Sequence, residues 1–238
     1  MIEVETRKRS EEFARANRKR IAKELTDISK YIPDDTPISV FMAGSPGAGK
    51  TEFSKSLVDS LEIKSHHKVI RIDGDELRER MPGYTGNNSY LFNTAVSLIV
   101  EKIHDFALHN RQTFLLDGTF SKYTKANENV SRSLHKQRPV LVFYVYQRPE
   151  VAWRFTQARE AAEGRNIPKD AFIEQFINAK ETIDRIRKDF RKKIFIFLVK
   201  KNFETGEVEQ VIDIQKNNKP IDDYFEKRYT RDELEKML

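Results

Sequence analysis

The chain contains no cysteine. That absence removes disulfides, thiolate nucleophiles and every cysteine-based zinc or iron–sulfur site, and it accords with a reducing compartment. Long apolar runs are missing too. The longest, Val140–Tyr146, is far too short to cross a bilayer, and no apolar stretch of signal-peptide type opens the chain. The expectation is a cytoplasmic protein with no membrane partner. Histidine is sparse, and His66, His67, His104, His109 and His135 fall at no metal-binding spacing. There is no nucleophile elbow for a serine hydrolase. No RNP-like strand or helix–turn–helix signal is present either, so a nucleic-acid partner is not expected.

What is present is a folded composition, with 38% hydrophobic and 34% charged residues in 238 positions. That length suits one substantial core with room for a small appendage, and is short for two catalytic domains. Lys and Arg outnumber Asp and Glu by 43 to 37. A surplus this small on so many charges permits a polyanionic partner without requiring one.

Hydrophobic spacing predicts strands at Ile38–Ala43, Lys68–Ile72, Thr113–Leu116, Val140–Tyr146 and Ile194–Val199. It predicts helices at Arg7–Tyr31, Lys50–Leu61, Tyr90–Asn110, Ser121–His135, Glu150–Ala162 and Lys169–Lys188. Pro33 and Pro37 bracket an acidic link that stops the first helix. Glu207–Ile214 reads as a hairpin arm or sheet-edge strand, and Pro220–Leu238 as a helical tail. Strands alternating with helices imply an α/β fold, with a mainly parallel sheet covered on both faces. The basic cluster in the first helix reads as the solvated face of an appendage docked on that fold.

Gly44-Ser45-Pro46-Gly47-Ala48-Gly49-Lys50-Thr51 fits the P-loop pattern, between a hydrophobic strand and a helix. Backbone N–H groups and the helix N-terminus would face phosphate oxygens. Lys50 would bridge the β- and γ-phosphates, and the Thr51 hydroxyl would ligate Mg²⁺. ATP or GTP with Mg²⁺ is therefore expected.

Acids lie where strand ends would floor such a site. Asp73 and Asp75 follow the second strand; two apart in an extended segment, they should serve different tasks. Asp75 reads equally as a general base and as a helix N-cap. Arg78 could reach phosphate or pair with Asp73. Asp117 ends the third strand like a Walker-B acid, or orients Lys50 or a metal-bound water. Arg154, Arg159 and Arg165 surround a helix break at Gly164. They read as a phosphate-clamping lid or as a charged surface helix, and Arg148 is equally ambiguous.

Together these features resemble the zeta toxin family, the P-loop kinases of bacterial toxin–antitoxin systems. The resemblance rests on Gly44–Thr51, Ile72–Arg78 followed by Pro82 and Tyr84, Glu101, Asp117-Gly118-Thr119, and Arg159 with Arg165 and Pro168. It extends over about Ile38–Lys200. It implies a P-loop NTPase/kinase fold and a kinase that phosphorylates the 3′-hydroxyl of the amino sugar of UDP-N-acetylglucosamine. It implies that Asp75 is the general base, Lys50 the phosphate lysine, and Arg159 and Arg165 the phosphate-holding arginines. Glu101 and Thr119 fall at substrate-contacting positions, and Asp73, Arg78 and Asp117 join the same expected site. A small helical antitoxin is the implied partner.

Two departures bear on the acceptor. The family commonly has Glu-Gly-Thr where this chain has Asp117-Gly118-Thr119, and the stretch from Pro82 to Glu101 is short. Both leave phosphoryl transfer in place. A P-loop kinase of another hydroxyl, or a nucleotide-binding module without activity, remains the alternative. The expected layout is a helical appendage over 1–32 and a kinase domain over 33–238 with a lid near 159–168.

Overall fold

Every residue of the strand Ser39–Ala43 (β1) is buried. Its sequence, Ser-Val-Phe-Met-Ala, has no polar alternation that would leave one face in water. The computed structural model, which describes residues 2–202, 204–216 and 219–238, places this strand inside a six-stranded sheet. The others are β2 (Ile70–Asp73), β3 (Phe114–Asp117), β4 (Val140–Tyr146), β5 (Phe195–Lys201) and β6 (Val208–Asp213). Their order across the sheet is β2-β3-β1-β4-β5-β6. The first five run parallel, and β6 returns antiparallel along the edge of β5. The expected edge strand is therefore present.

Helices α1 (Ile2–Leu25), α2 (Lys50–Ser65), α3 (Gly74–Arg78), α4 (Asn93–His109), α5 (Tyr123–His135), α6 (Pro149–Glu163), α7 (Lys169–Phe190) and α8 (Arg231–Met237) complete the regular structure. Alternation along β1 sorts the core into two layers. Val40 and Met42 join Leu115, Phe143, Val145 and Val199 against Phe53 and Leu57 of α2. Phe41 and Ala43 face the larger layer with Ile99 and Ile103 of α4, Val130 of α5 and Ile183 of α7. The sheet thus carries helices on both faces, the architecture of a P-loop kinase. α1 lies against α4 and buries Ala14, Ile21 and Ala22.

Two expectations need correction. The first helix ends at Leu25, well short of Tyr31, because Asp27 turns the chain. Its Oδ1 accepts from the backbone N–H and the hydroxyl of Ser29, both at 2.9 Å, a local bond that competes with helix continuation. The C-terminal tail is helical only in part. A 3₁₀ turn at Ile221–Tyr224 and α8 flank an extended stretch in which Phe225 stacks on Tyr146.

Candidate active site

β1 lies between β3 and β4, so its carboxyl end opens at the point where strand order reverses, the place where open α/β sheets bind ligands. The Gly44–Thr51 loop leaves β1 there and runs into α2. Gly47 has φ +69°, and a Cβ on it would sit 2.0 Å from the Ala152 carbonyl oxygen. Glycine is required because α6 presses directly on the loop. On the other side the Gly44 N–H donates to the Thr119 carbonyl at 3.1 Å. A cavity of about 610 Å³ spreads above the loop and takes in Lys50, Thr51, Asp73, Asp75, Arg78, Asp117, Thr119, Arg159 and Arg165. Most of the residues expected to form the site are therefore in one place.

Asp73 and Asp75 divide their tasks through α3. Asp73 is the N-cap: its carboxylate accepts from the Asp75 N–H at 2.8 Å. The capping expected of Asp75 falls to Asp73, which leaves the Asp75 carboxylate to the cavity. Burial, with the neighbouring Asp75 charge, pushes the Asp73 carboxyl above the usual range. Arg78 does not pair with Asp73. It donates to Asp75 through Nη1 and to Asn93 Oδ1 at 2.9 Å through Nη2.

Arg71 organises the other acids, and sequence reasoning missed it. Its Nη2 reaches Asp73 at 2.5 Å and Asp117 at 2.8 Å, and its Nη1 reaches Glu76 at 2.5 Å. Ser54 of α2 donates to Asp117 at 2.7 Å and accepts from Arg71 Nε at 3.1 Å. This network fixes the ends of β2 and β3 to the phosphate-loop helix. The available signal was one arginine inside the apolar strand Val69-Ile70-Arg71-Ile72.

α6 ends at Gly164, which takes the left-handed C-cap conformation at φ 70°. The chain then turns back and delivers Arg165 Nη1 to Asp75 Oδ2. Arg159 Nη2 lies 3.9 Å from the same oxygen and 3.1 Å from Glu163. The two arginines expected of the lid thus converge on the expected base. Arg154 is exposed and lies away from the cavity lining, and Arg148 pairs with Glu150 at 3.2 Å. Glu101 is not brought to the site. It is absent from the cavity lining and meets Lys125 at 3.2 Å between α4 and α5.

Lys50 Nζ donates to the Ser45 carbonyl at 2.6 Å. Burial lowers the amine to about 8, against the opposing pull of Asp117 and Asp75. Phosphate needs the ammonium form, so nucleotide binding must raise this value and take up a proton. Below about pH 7 the lysine is already charged and no uptake is expected. Above about pH 8 the affinity for ADP should fall by up to about tenfold per pH unit. Calorimetric titrations in buffers of different ionisation enthalpy measure the uptake. A pH-independent affinity through about pH 9.5 would contradict the assignment, and Lys50→Met should be flat over that range.

Among the described residues no three His, Cys, Asp or Glu side chains cluster to hold a metal by themselves. The Thr51 hydroxyl lines the cavity, an oxygen donor of the kind that Mg²⁺ takes beside waters and substrate phosphates. Thr51 would hold it, with Asp117 at the neighbouring strand end.

The sequence profile of the zeta toxin family matches residues 22–218. A chain from the PezAT chromosomal toxin–antitoxin system of the human pathogen Streptococcus pneumoniae superposes with a TM-score of 0.64 at 16% identity, over 93% of this chain and 90% of that one. A chain of the AvrRxo1-ORF1:-ORF2 complex with ATP gives 0.57 at 14% identity, over 89% of this chain and 67% of that one. A comparison with curated proteins returned no match. At these identities the structural likenesses speak for the fold. The profile, which spans the whole sheet and the whole cavity, shows that the chain belongs to the zeta toxin family.

Proposed function

We propose that this protein is an ATP- or GTP-dependent kinase that transfers the γ-phosphoryl group to the 3′-hydroxyl of the amino sugar of UDP-N-acetylglucosamine. The observation that carries the reading is the meeting of Asp75 with Arg165, opposite the phosphate loop, in a single cavity. A nucleotide seated on Gly44–Thr51 would direct its terminal phosphate towards the ends of β2 and β3, where the acids stand. Asp75 takes the proton of the acceptor hydroxyl as its oxygen bonds to the γ-phosphorus. The bond from that phosphorus to the bridging oxygen breaks, and the nucleoside diphosphate leaves with the electron pair. Lys50, Arg159 and Arg165 hold the charge spread over the equatorial oxygens. Mg²⁺, when bound, neutralises charge on the same phosphates.

The Asp75 carboxylate is engaged by Arg78 and Arg165. Incoming phosphates compete for the lid arginines and free the carboxylate to accept a proton. The connection between α6 and α7 also touches the loop ahead of α4. A Cβ on Gly86 would lie 2.6 Å from the Glu163 carbonyl, so this wall can exclude water from the reaction. The likeness to a chain of a toxin–antitoxin system supports an antitoxin as the partner, read here as a small helical protein that covers this cavity. The α1 helix packs on α4 and leaves the opening for such a partner.

The test is a mass-spectrometric screen with Mg·ATP and Mg·GTP over UDP-sugars, nucleosides and short oligonucleotides. UDP-N-acetylglucosamine should gain one phosphoryl group at its 3′ position. Phosphorylation of only a nucleoside or an oligonucleotide end would replace the acceptor and keep the kinase.

A further inference from the structure

Among the described residues Lys201 is the only lysine with less than a tenth of its surface exposed, at 8%. The buried arginines are partnered: Arg138 donates to the Gln112 and Ile38 carbonyls, and Arg187 pairs with Asp184 at 3.3 Å. Among the described residues Lys201 has no carboxylate within ion-pair distance and no hydrogen bond. Its ammonium opens into the cavity with no counter-charge of its own within the described fold. Phe197 and Val199 pack on the α2 side of the sheet, and Lys201 is the next residue on that face of β5. A register shift at Lys200/Lys201 ends the regular ladder there, pairing Lys201 with Val208, an irregularity of the kind that re-aims side chains. The side chain crosses the phosphate loop: a Cβ placed on Gly49 would lie 2.7 Å from its Nζ and 3.0 Å from its Cδ. It also lines the cavity, beside Gln147 and Gly206.

Sheet order says which part of the ligand meets it. The acids come from β2 and β3 on one side of β1, and Lys201 comes from β5 on the other. A nucleotide whose γ-phosphate points to the acids must lay its remaining parts towards β4 and β5. We infer that Lys201 is a second phosphate lysine of the donor site and binds the α-phosphate of the nucleotide. This rests on the phosphate-loop reading but not on the identity of the acceptor. Because the contact is distal to the transferred group, it contributes equally before and during transfer, and so acts on affinity rather than turnover.

The experiment is calorimetric titration of the intact protein with ADP, which needs no acceptor. Lys201→Met keeps the aliphatic stem and removes the charge; it should weaken ADP binding about 10- to 100-fold. Lys201→Arg should recover most of that loss. In a kinase assay the nucleotide KM should rise with kcat little changed. The empty Lys201→Met protein should melt close to wild type, since the ammonium has no partner among the described residues to lose. Equal ADP affinity in wild type and Lys201→Met would overturn the inference, as would a lower Tm with unchanged affinity, which marks a packing role. If Lys201→Met does not fold, Lys201→Gln carries the same comparison. A wild type that binds no ADP would instead overturn the phosphate-loop reading itself.

Discussion

Asp75→Asn should fold, bind ADP with wild-type affinity or better, and lose phosphoryl transfer by a factor on the order of 10²–10⁴. The amide keeps the size and the acceptor oxygen but cannot take the hydroxyl proton. The structure separates this residue from its neighbour, because the cap of α3 is Asp73. The Asp75 substitution should therefore leave the helix intact. Asp73→Asn is the informative contrast. Asparagine caps a helix as well as aspartate does, but the change breaks a pair with Arg71 in which both side chains are about nine-tenths buried. Stability should fall by about 1–3 kcal/mol, with a smaller effect on rate than at Asp75. Thermal melts run beside single-turnover rates decide between them. Full activity in Asp75→Asn with a weakened Asp73→Asn would move the base to Asp73.

The sequence made the fold legible because its strands are unambiguous. Val140–Tyr146 is almost wholly β-branched and aromatic, and its bounds in the sheet are those expected. The phosphate loop was equally plain, since its glycines and lysine are local requirements of one short turn. Helix ends were less so. Leu25 ends α1 through a side-chain bond of Asp27, a signal weaker in the sequence than Pro33. The acids were legible as a set but not in their individual tasks. Whether Asp73 or Asp75 caps depends on the single residue at which β2 gives way to α3. Arg71 and Lys201 lay beyond sequence reasoning for a shared reason. Each is a charged residue on a strand, and its role comes from partners on other elements: Asp117 and Ser54 for Arg71, Gly49 for Lys201. Glu101 shows the converse, because its expected place rested on resemblance alone and the packing of α4 on α5 directs it to Lys125.

Arg165→Ala should lower kcat by a factor on the order of 10³, the scale of an arginine that stabilises a transferring phosphoryl group. Its geometry distinguishes it from Arg159. Arg165 follows the left-handed turn at Gly164 and reaches the Asp75 carboxylate directly, with its side chain 20% exposed. Arg159 is 40% exposed, stands 3.9 Å from that carboxylate and shares itself with Glu163. Arg159→Ala should therefore cost less than Arg165→Ala. Both should raise the nucleotide KM less than they lower kcat, because the charge they meet grows as the phosphoryl group moves. Arg165→Lys should recover little, since an ammonium cannot offer two parallel donors to phosphate oxygens. The ion pair itself predicts something different: if Arg165 is only a stabilising charge partner of Asp75, removing both side chains should cost no more stability than removing one, and kcat in Arg165→Ala should stay near wild type. The cycle of Asp75→Asn, Arg165→Ala and the double variant measures both quantities. Residues that act on one transition state are strongly non-additive in rate. The double variant should be about as slow as Asp75→Asn alone, and a kcat loss equal to the product of the single losses would place the two residues in separate steps.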